Sequence, residues 1–168
     1  AMHLHTEWLA SMGVGVGAQA GCGGGPLVVT CGDWDLKTML PNQRRISGTP
    51  VPDCMRQWCN IKAHFKAAGY GGGASGMMDM LRQLGIQHTG KHHSGIDDCR
   101  NIAKIVSRMC HDGCTPRATT VEGGGAASGW MDSVQPVGAC GARSGGRFST
   151  SAKGGGLGGR VQLCALKK

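Results

Sequence analysis

The chain is short of glutamate and of aromatic residues, and it has no paired-cysteine motif and no long apolar run. Of its ten acidic residues only Glu7 and Glu122 are glutamates, so any carboxylate chemistry falls mainly to aspartates. Aromatic residues make up 4% of the chain, which limits how large a core it can build. Nine cysteines are present, an odd number, yet no Cys-x-x-Cys occurs. The nearest pairs, Cys54/Cys59 and Cys110/Cys114, lack the companion ligands of a tetrahedral zinc site, so a zinc finger is excluded and reduced thiols are expected. No apolar run could span a bilayer and no secretory signal peptide is seen. The expectation is a soluble intracellular protein, nuclear or cytoplasmic. No fixed-period repeat exists, which removes solenoid folds.

Glycine is abundant, at 31 of 168 residues, far above the usual fraction of about 7%. The glycines concentrate in "GVGVGAQAGCGGG", in "GYGGGASG" and beyond Val121. Such stretches cannot bury enough apolar surface to fold by themselves. The organisation expected is therefore one domain over 1–120, with a glycine-rich insert at about 13–25 and a loop at about 42–53. A low-complexity, disordered tail over 121–168 would follow. The formal net charge of +8 favours polyanionic partners, nucleic acid above all. Several of the cations, Arg143 and Lys153 among them, lie in that tail.

Hydrophobic periodicity predicts a short first helix, with Leu4, Trp8 and Met12 at four-residue spacing and Leu9 beside them. "PLVVTCG" reads as a buried strand. "DWDLKTML" follows as a helix, with Asp33 as its N-cap and Pro41 as its end. The stretch from Trp58 to Lys62 fits either a strand or a helix. Met77, Met80, Leu81 and Leu84 share one face of a further helix, with Gly85 as its stop. The last helix opens at Ser94-x-x-Asp97, which has the form of a capping box.

Two adjacent aspartates in that helix play different parts. Asp97 shares a face with Asn101, Lys104 and Arg108, the wet side. Asp98 shares a face with Ile102, Ile105 and Met109, the core side. An ionised carboxylate aimed at a core costs several kcal/mol unless it finds a partner. That partner is either a cation or backbone group at the helix end, or a divalent metal reached by carboxylates from separate segments. Asp35 is a second such acid, placed after a buried strand where α/β proteins hold ligands.

"VTCGDWDLKTMLP", then "WCNIK", then "LRQLGIQHTGKHHSGIDDCRNIAKIVSRMCHDGC" resemble the ERI-type 3′→5′ exonucleases of the DEDDh (DnaQ-like) superfamily. The likeness runs in order from Leu27 to Cys114. It implies an α/β, RNase H-like fold, here in part: about two parallel strands plus helices, without the family's N-terminal antiparallel strands. It also implies two-metal phosphodiester hydrolysis at the 3′ end of single-stranded RNA, with two Mg²⁺ or Mn²⁺ ions about 4 Å apart. In the family's pattern one acidic motif has its Asp directly after an aromatic residue, which selects Asp35. The next has a His five residues before an Asp, which selects His93 and Asp98 and leaves His92 and Asp97 as bystanders. His93 would be the general base, and Asp98 and Asp35 the metal carboxylates. Lys91, Arg82 and Lys62 are candidates for the path of the phosphate backbone.

The family's first motif, Asp-x-Glu, occurs nowhere in this sequence. The chain therefore reads as the C-terminal part of an exonuclease domain, weak or inactive as written. Its rival is a non-catalytic RNA-binding remnant of the same fold. A third reading is an unrelated small α/β domain in which His93 and Asp98 merely begin a helix.

Overall fold

The computed structural model describes residues 2–12 and 26–134. The expected insert at 13–25 and residues 135–168 of the expected tail lie outside the described residues. No helix among the described residues is long and apolar enough to cross a membrane.

The fold is α/β, built on a small mixed sheet. Strand β1 (Val28–Thr30) runs parallel to β2 (Gln57–Asn60), with Val28 opposite Trp58 and Val29 opposite Cys59. Because side chains alternate across a strand, this register sends Val28 and Trp58 to one face and Val29 and Cys59 to the other. Helices α3 (Ile61–Ala67), α4 (Met77–Gln83) and α5 (Gly95–His111) cover the Val29/Cys59 face. Phe65, Met80, Leu81, Ile105 and Met109 fill the core between them. On the opposite face Leu9, from helix α1 (Met2–Ser11), joins Val28, Leu36, Met55 and Trp58. Burial on both faces explains why β1 is a continuous apolar run.

Several local expectations change in the folded chain. In α1 Leu9 is buried, 1% exposed, while Leu4, Trp8 and Met12 are exposed. The four-residue stripe thus lies outward among the described residues, because the helix is turned to deliver its neighbour Leu9 into the cluster below the sheet. Pro41 does not end the second helix. A π-helical turn over Asp35–Met39 leads straight into α2 (Leu40–Ser47), so 42–47 of the expected 42–53 loop is helical. In a regular α-helix a proline ring clashes with the carbonyl four residues earlier. The wide turn, in which the Leu40 N–H reaches the Asp35 carbonyl, relieves that clash and leaves Pro41 in the first turn of α2. Gly48, at φ 67°, closes the helix.

The Trp58–Lys62 ambiguity resolves into both alternatives in sequence. β2 stops at Asn60, whose side-chain oxygen accepts the Lys62 N–H at 3.2 Å and caps α3. Helix α4 ends as its pattern predicts. Gly85 adopts φ 65°, the Ile86 N–H bonds the Leu81 carbonyl and the Gly85 N–H bonds the Arg82 carbonyl.

The folded part also extends beyond the expected limit at residue 120. A two-residue strand β3 (Thr120–Val121) pairs antiparallel with β2. Glu122 then forms ion pairs with Arg56, at 2.5 Å, and Arg44. So short a strand carries no periodicity, and it is held by β2 rather than by its own pattern.

Near this join His64 is fully buried, with Nδ1 3.6 Å from Cys114 Sγ and no hydrogen-bond partner for Nε2 among the described residues. Burial holds its pKa below the ordinary 6.5. The folded chain therefore binds fewer protons at this site than the unfolded chain between that depressed value and 6.5. Stability should be at its plateau above pH 6.5 and fall as the pH drops through that window. Urea titrations across it should show the midpoint decline in the native chain and a flatter profile in His64→Gln.

Candidate functional site

At the carboxyl end of β1, the chain leaves the sheet through Cys31 and Gly32 and enters the π-helical turn that starts at Asp35. The first turn of α5 and the entry to α4 face this exit. Together they enclose a cleft of about 570 Å³ whose lining includes Asp35, His93, Asp98, Cys31 and Met77. Its position outside the ends of parallel strands is where α/β folds bind ligands, and its size suits a small ligand.

The three residues selected by sequence, Asp35, His93 and Asp98, thus come from separate segments and line one space. Cys31 registers their convergence. Burial pushes its thiol pKa up, Lys62 opposes this, and the Asp98 and Asp35 charges push it further up. Both carboxylates are thus near enough to Cys31 for their charges to act on it. Among the described residues Asp98 makes no ion pair. Its Oδ1 instead accepts the backbone N–H of His93 at 3.3 Å.

His93 is the non-glycine residue with positive φ, 67°, among those described. Such a backbone is costly and persists only where its surroundings enforce it. The enforcement comes from α5. Asn101, fully buried, donates to the Thr89 and Asp97 carbonyls at 2.8 Å each, while its Oδ1 accepts the Thr89 N–H at 3.1 Å. Lys104 Nζ donates to the Gln87 carbonyl and to Thr89 Oγ1. Asp97 accepts the Lys91 N–H at 3.1 Å, which with Ser94 and Arg100 holds its carboxyl below the usual range. Gly90, at φ 79°, lies so close to the Asp97 carboxylate that any side chain there would collide with it.

Two sequence expectations are amended by this loop. Asn101 belongs to the interior and not to the wet face. Ser94 starts α5 but makes no side-chain cap bond to it, so the capping box does not form as expected. His92, outside the family pattern, stacks its ring on that of His93 with centroids 3.9 Å apart. The signal that could have revealed Asn101 is a poor helix former in the middle of a long helix.

The cationic candidates separate. Lys62 is outside the cleft lining but close enough to Cys31, which is part of that lining, for its charge to act on the thiol. Arg82 is engaged by Asp79 at 2.7 Å, and Lys91 contributes its backbone to Asp97. Neither of these two lines the cleft.

Asp33, two residues before Asp35, has a different task from the N-cap expected of it. Its carboxylate accepts Trp58 Nε1 and Asn60 Nδ2, each at 2.8 Å, and Thr120 Oγ1 at 3.0 Å. It thereby ties the end of β1 to β2 and β3.

As a donor set for divalent cations the cleft is incomplete. All ten carboxylates of the chain lie among the described residues, and of these only Asp35 and Asp98 line the cleft. No group of three or more His, Cys, Asp or Glu side chains placed to hold a metal occurs among the described residues. The two oxygen donors are of the right chemical type for Mg²⁺, but they do not fit a pair of ions.

Comparison with known proteins bears on the family and the fold. The exonuclease family model (RNase T type) matches residues 6–106. ERI1 exoribonuclease 3 of Homo sapiens is 47% identical over 87 residues, covering 52% of this chain and 26% of that protein. ERI1 exoribonuclease 2 of Xenopus laevis is 40% identical over 91 residues, covering 54% of this chain and 13% of that protein. The chain thus spans about a quarter or less of the length of these curated relatives. Among solved structures, the nuclease domain of 3'hExo, a DEDDh family member bound to rAMP, superimposes with a TM-score of 0.61 at 28% identity. That match covers 71% of this chain and 57% of the other. A 3'-exonuclease in a structure of 3'-end specific recognition of histone mRNA stem-loop gives 0.64 at 25% identity, covering 80% and 60%. The α/β fold is therefore the RNase H-like fold of these nucleases, and exonucleases of this type generally use divalent metal ions. With a family model matched over more than half its length, the chain belongs to the exonuclease family, on its ERI-type DEDDh branch.

Proposed function

We propose that this chain carries the His93, Asp98 and Asp35 portion of a 3′→5′ exoribonuclease site and receives the 3′ end of single-stranded RNA in its cleft. The observation that supports this reading most directly is the convergence on one space at the strand ends of a strained histidine and two carboxylates that make no ion pair among the described residues. In this reading His93 is the general base, since imidazole can take a proton from water near neutral pH. Asp35 and Asp98 would supply carboxylate oxygens to a divalent cation. In the intact family two such ions, Mg²⁺ or Mn²⁺, activate the water and stabilise the leaving 3′ oxygen.

Two cleft carboxylates do not complete that pair, so no step through the metals is assigned to this chain alone. The same shortfall favours a second reading, an RNA-binding domain of this fold with weak turnover or none. One assay separates them. The chain is given a 3′-labelled single-stranded RNA with Mn²⁺, alongside His93→Ala. Stepwise trimming that disappears in the variant supports the nuclease reading. Salt-sensitive binding with no trimming in either supports the binding reading. Absence of both overturns the assignment of the cleft to RNA.

A further inference from the structure

Beside the cleft lies a second concavity that the site above does not use. Helix α3 and the glycine loop preceding α4 enclose an open groove of about 500 Å³ lined by Lys62, Lys66, Gly72, Gly73 and Ser75. Ser75 also lines the cleft, so the two spaces adjoin at this residue. Lys62 and Lys66 are four residues apart on one helix and share a face. Neither makes an ion pair among the described residues, and no carboxylate lines the groove.

The groove is held in shape from α4. Gln83 donates to the Gly73 carbonyl at 3.1 Å, and Asp79 accepts the Ser75 N–H at 3.1 Å as well as its hydroxyl. Asp79 is in turn engaged by Arg82, so the nearest acid is already partnered. The stem of Lys66 passes over Gly73, where an added Cβ would meet its Cδ at 3.7 Å, which gives the amine a supported course along the loop. The loop itself presents backbone with almost no side chains, and at Gly72 an added Cβ would meet nothing within 4 Å.

We propose that this groove is a subsite for the sugar–phosphate backbone upstream of the 3′-terminal nucleotide, with Lys66 and Lys62 as its cations. The proposal rests on the cleft being the place of the 3′ end. A strand leaving the cleft past Ser75 meets two unpartnered ammonium groups and a bare glycine wall that lets a backbone approach closely. A protein partner would find few apolar side chains to bury there.

The test measures fluorescence anisotropy of a single-stranded oligoribonucleotide against salt, in EDTA so that no trimming intervenes. Lys66→Ala and Gly72→Glu are compared with the native chain, and each strand is run with a free and a blocked 3′ end. Each phosphate contact on a single strand contributes about 0.7 to the slope of log affinity against log salt. Lys66→Ala should lower the slope by about that amount, and Gly72→Glu, which meets no steric obstacle, should weaken binding several-fold. If both variants match the native chain while a blocked 3′ end still weakens binding, the subsite is refuted and the cleft reading survives. If blocking the 3′ end changes nothing, the cleft reading itself fails, and the subsite with it.

Discussion

Replacing Asp33 with alanine is expected to lower stability by about 2–4 kcal/mol, because three donors lose a charged acceptor in a half-buried position. The donors belong to Trp58, Asn60 and Thr120, so the loss loosens β1, β2 and β3 together. Trp58 is 1% exposed and its indole N–H would be left without this acceptor. The same change at Asp35, two residues on, should cost less than about 1 kcal/mol, the worth of an acid in the first turn of a helix. Asp35→Ala should instead weaken whatever occupies the cleft. Urea denaturation of both variants, read beside RNA binding, checks the contrast. Equal stability losses would show that Asp35 also holds the fold together.

Asn101→Leu carries the second large effect. The substitution keeps a similar branched shape and raises helix propensity, but strips the Thr89 N–H and carbonyl of their partners in a part-buried setting. A cost of about 1–3 kcal/mol follows from leaving such groups unmet. The consequence reaches the cleft, since residues 87–93 are held against α5 by Asn101, Lys104, Asp97 and Asp98 acting in parallel. Released from Asn101, the loop would let His93 relax from its positive φ, and the imidazole would leave its place beside Asp98. Hydrogen exchange should accelerate at Thr89 and Lys91 well before global unfolding. RNA binding through the cleft should fall even at temperatures where the helix persists. Unchanged exchange at Thr89 would mean that the remaining three contacts suffice.

These two residues also explain why neighbouring acids in this chain look alike and act differently. Asp33 and Asp97 point at backbone and side-chain donors and shape the walls. Asp35 and Asp98 are left without cationic partners among the described residues and face the space those walls enclose. A cleft that leaves two like charges unneutralised is prepared for a cation or for a ligand that brings one. With only these two carboxylates present, tight binding of a pair of metal ions is not expected of the chain alone.

Much of this arrangement was legible from residues in order. The 3.6-residue period placed α4 and α5 and turned Asp98 toward the interior, and Gly85 marked a helix end that the backbone realises at φ 65°. The ordered match of "GDWD" and "HHSGIDDC" to a nuclease pattern singled out Asp35, His93 and Asp98, which line one cleft. Local pattern sufficed there because helix faces and stops depend on neighbours within a few positions. Other features depend on partners far along the chain. Asp33 needed Thr120, 87 residues away, before its role could be seen. Asn101 needed Thr89 across a loop, and Leu9 needed the underside of the sheet. Pro41 continues as helix because the preceding turn widens, and β3 exists because β2 offers it an edge. Periodicity placed the main helices and turned Asp98 to the inner side of α5. Only the tertiary structure decided which acids would be satisfied, since a hydrogen-bond partner supplied by a distant segment leaves no trace in the local pattern.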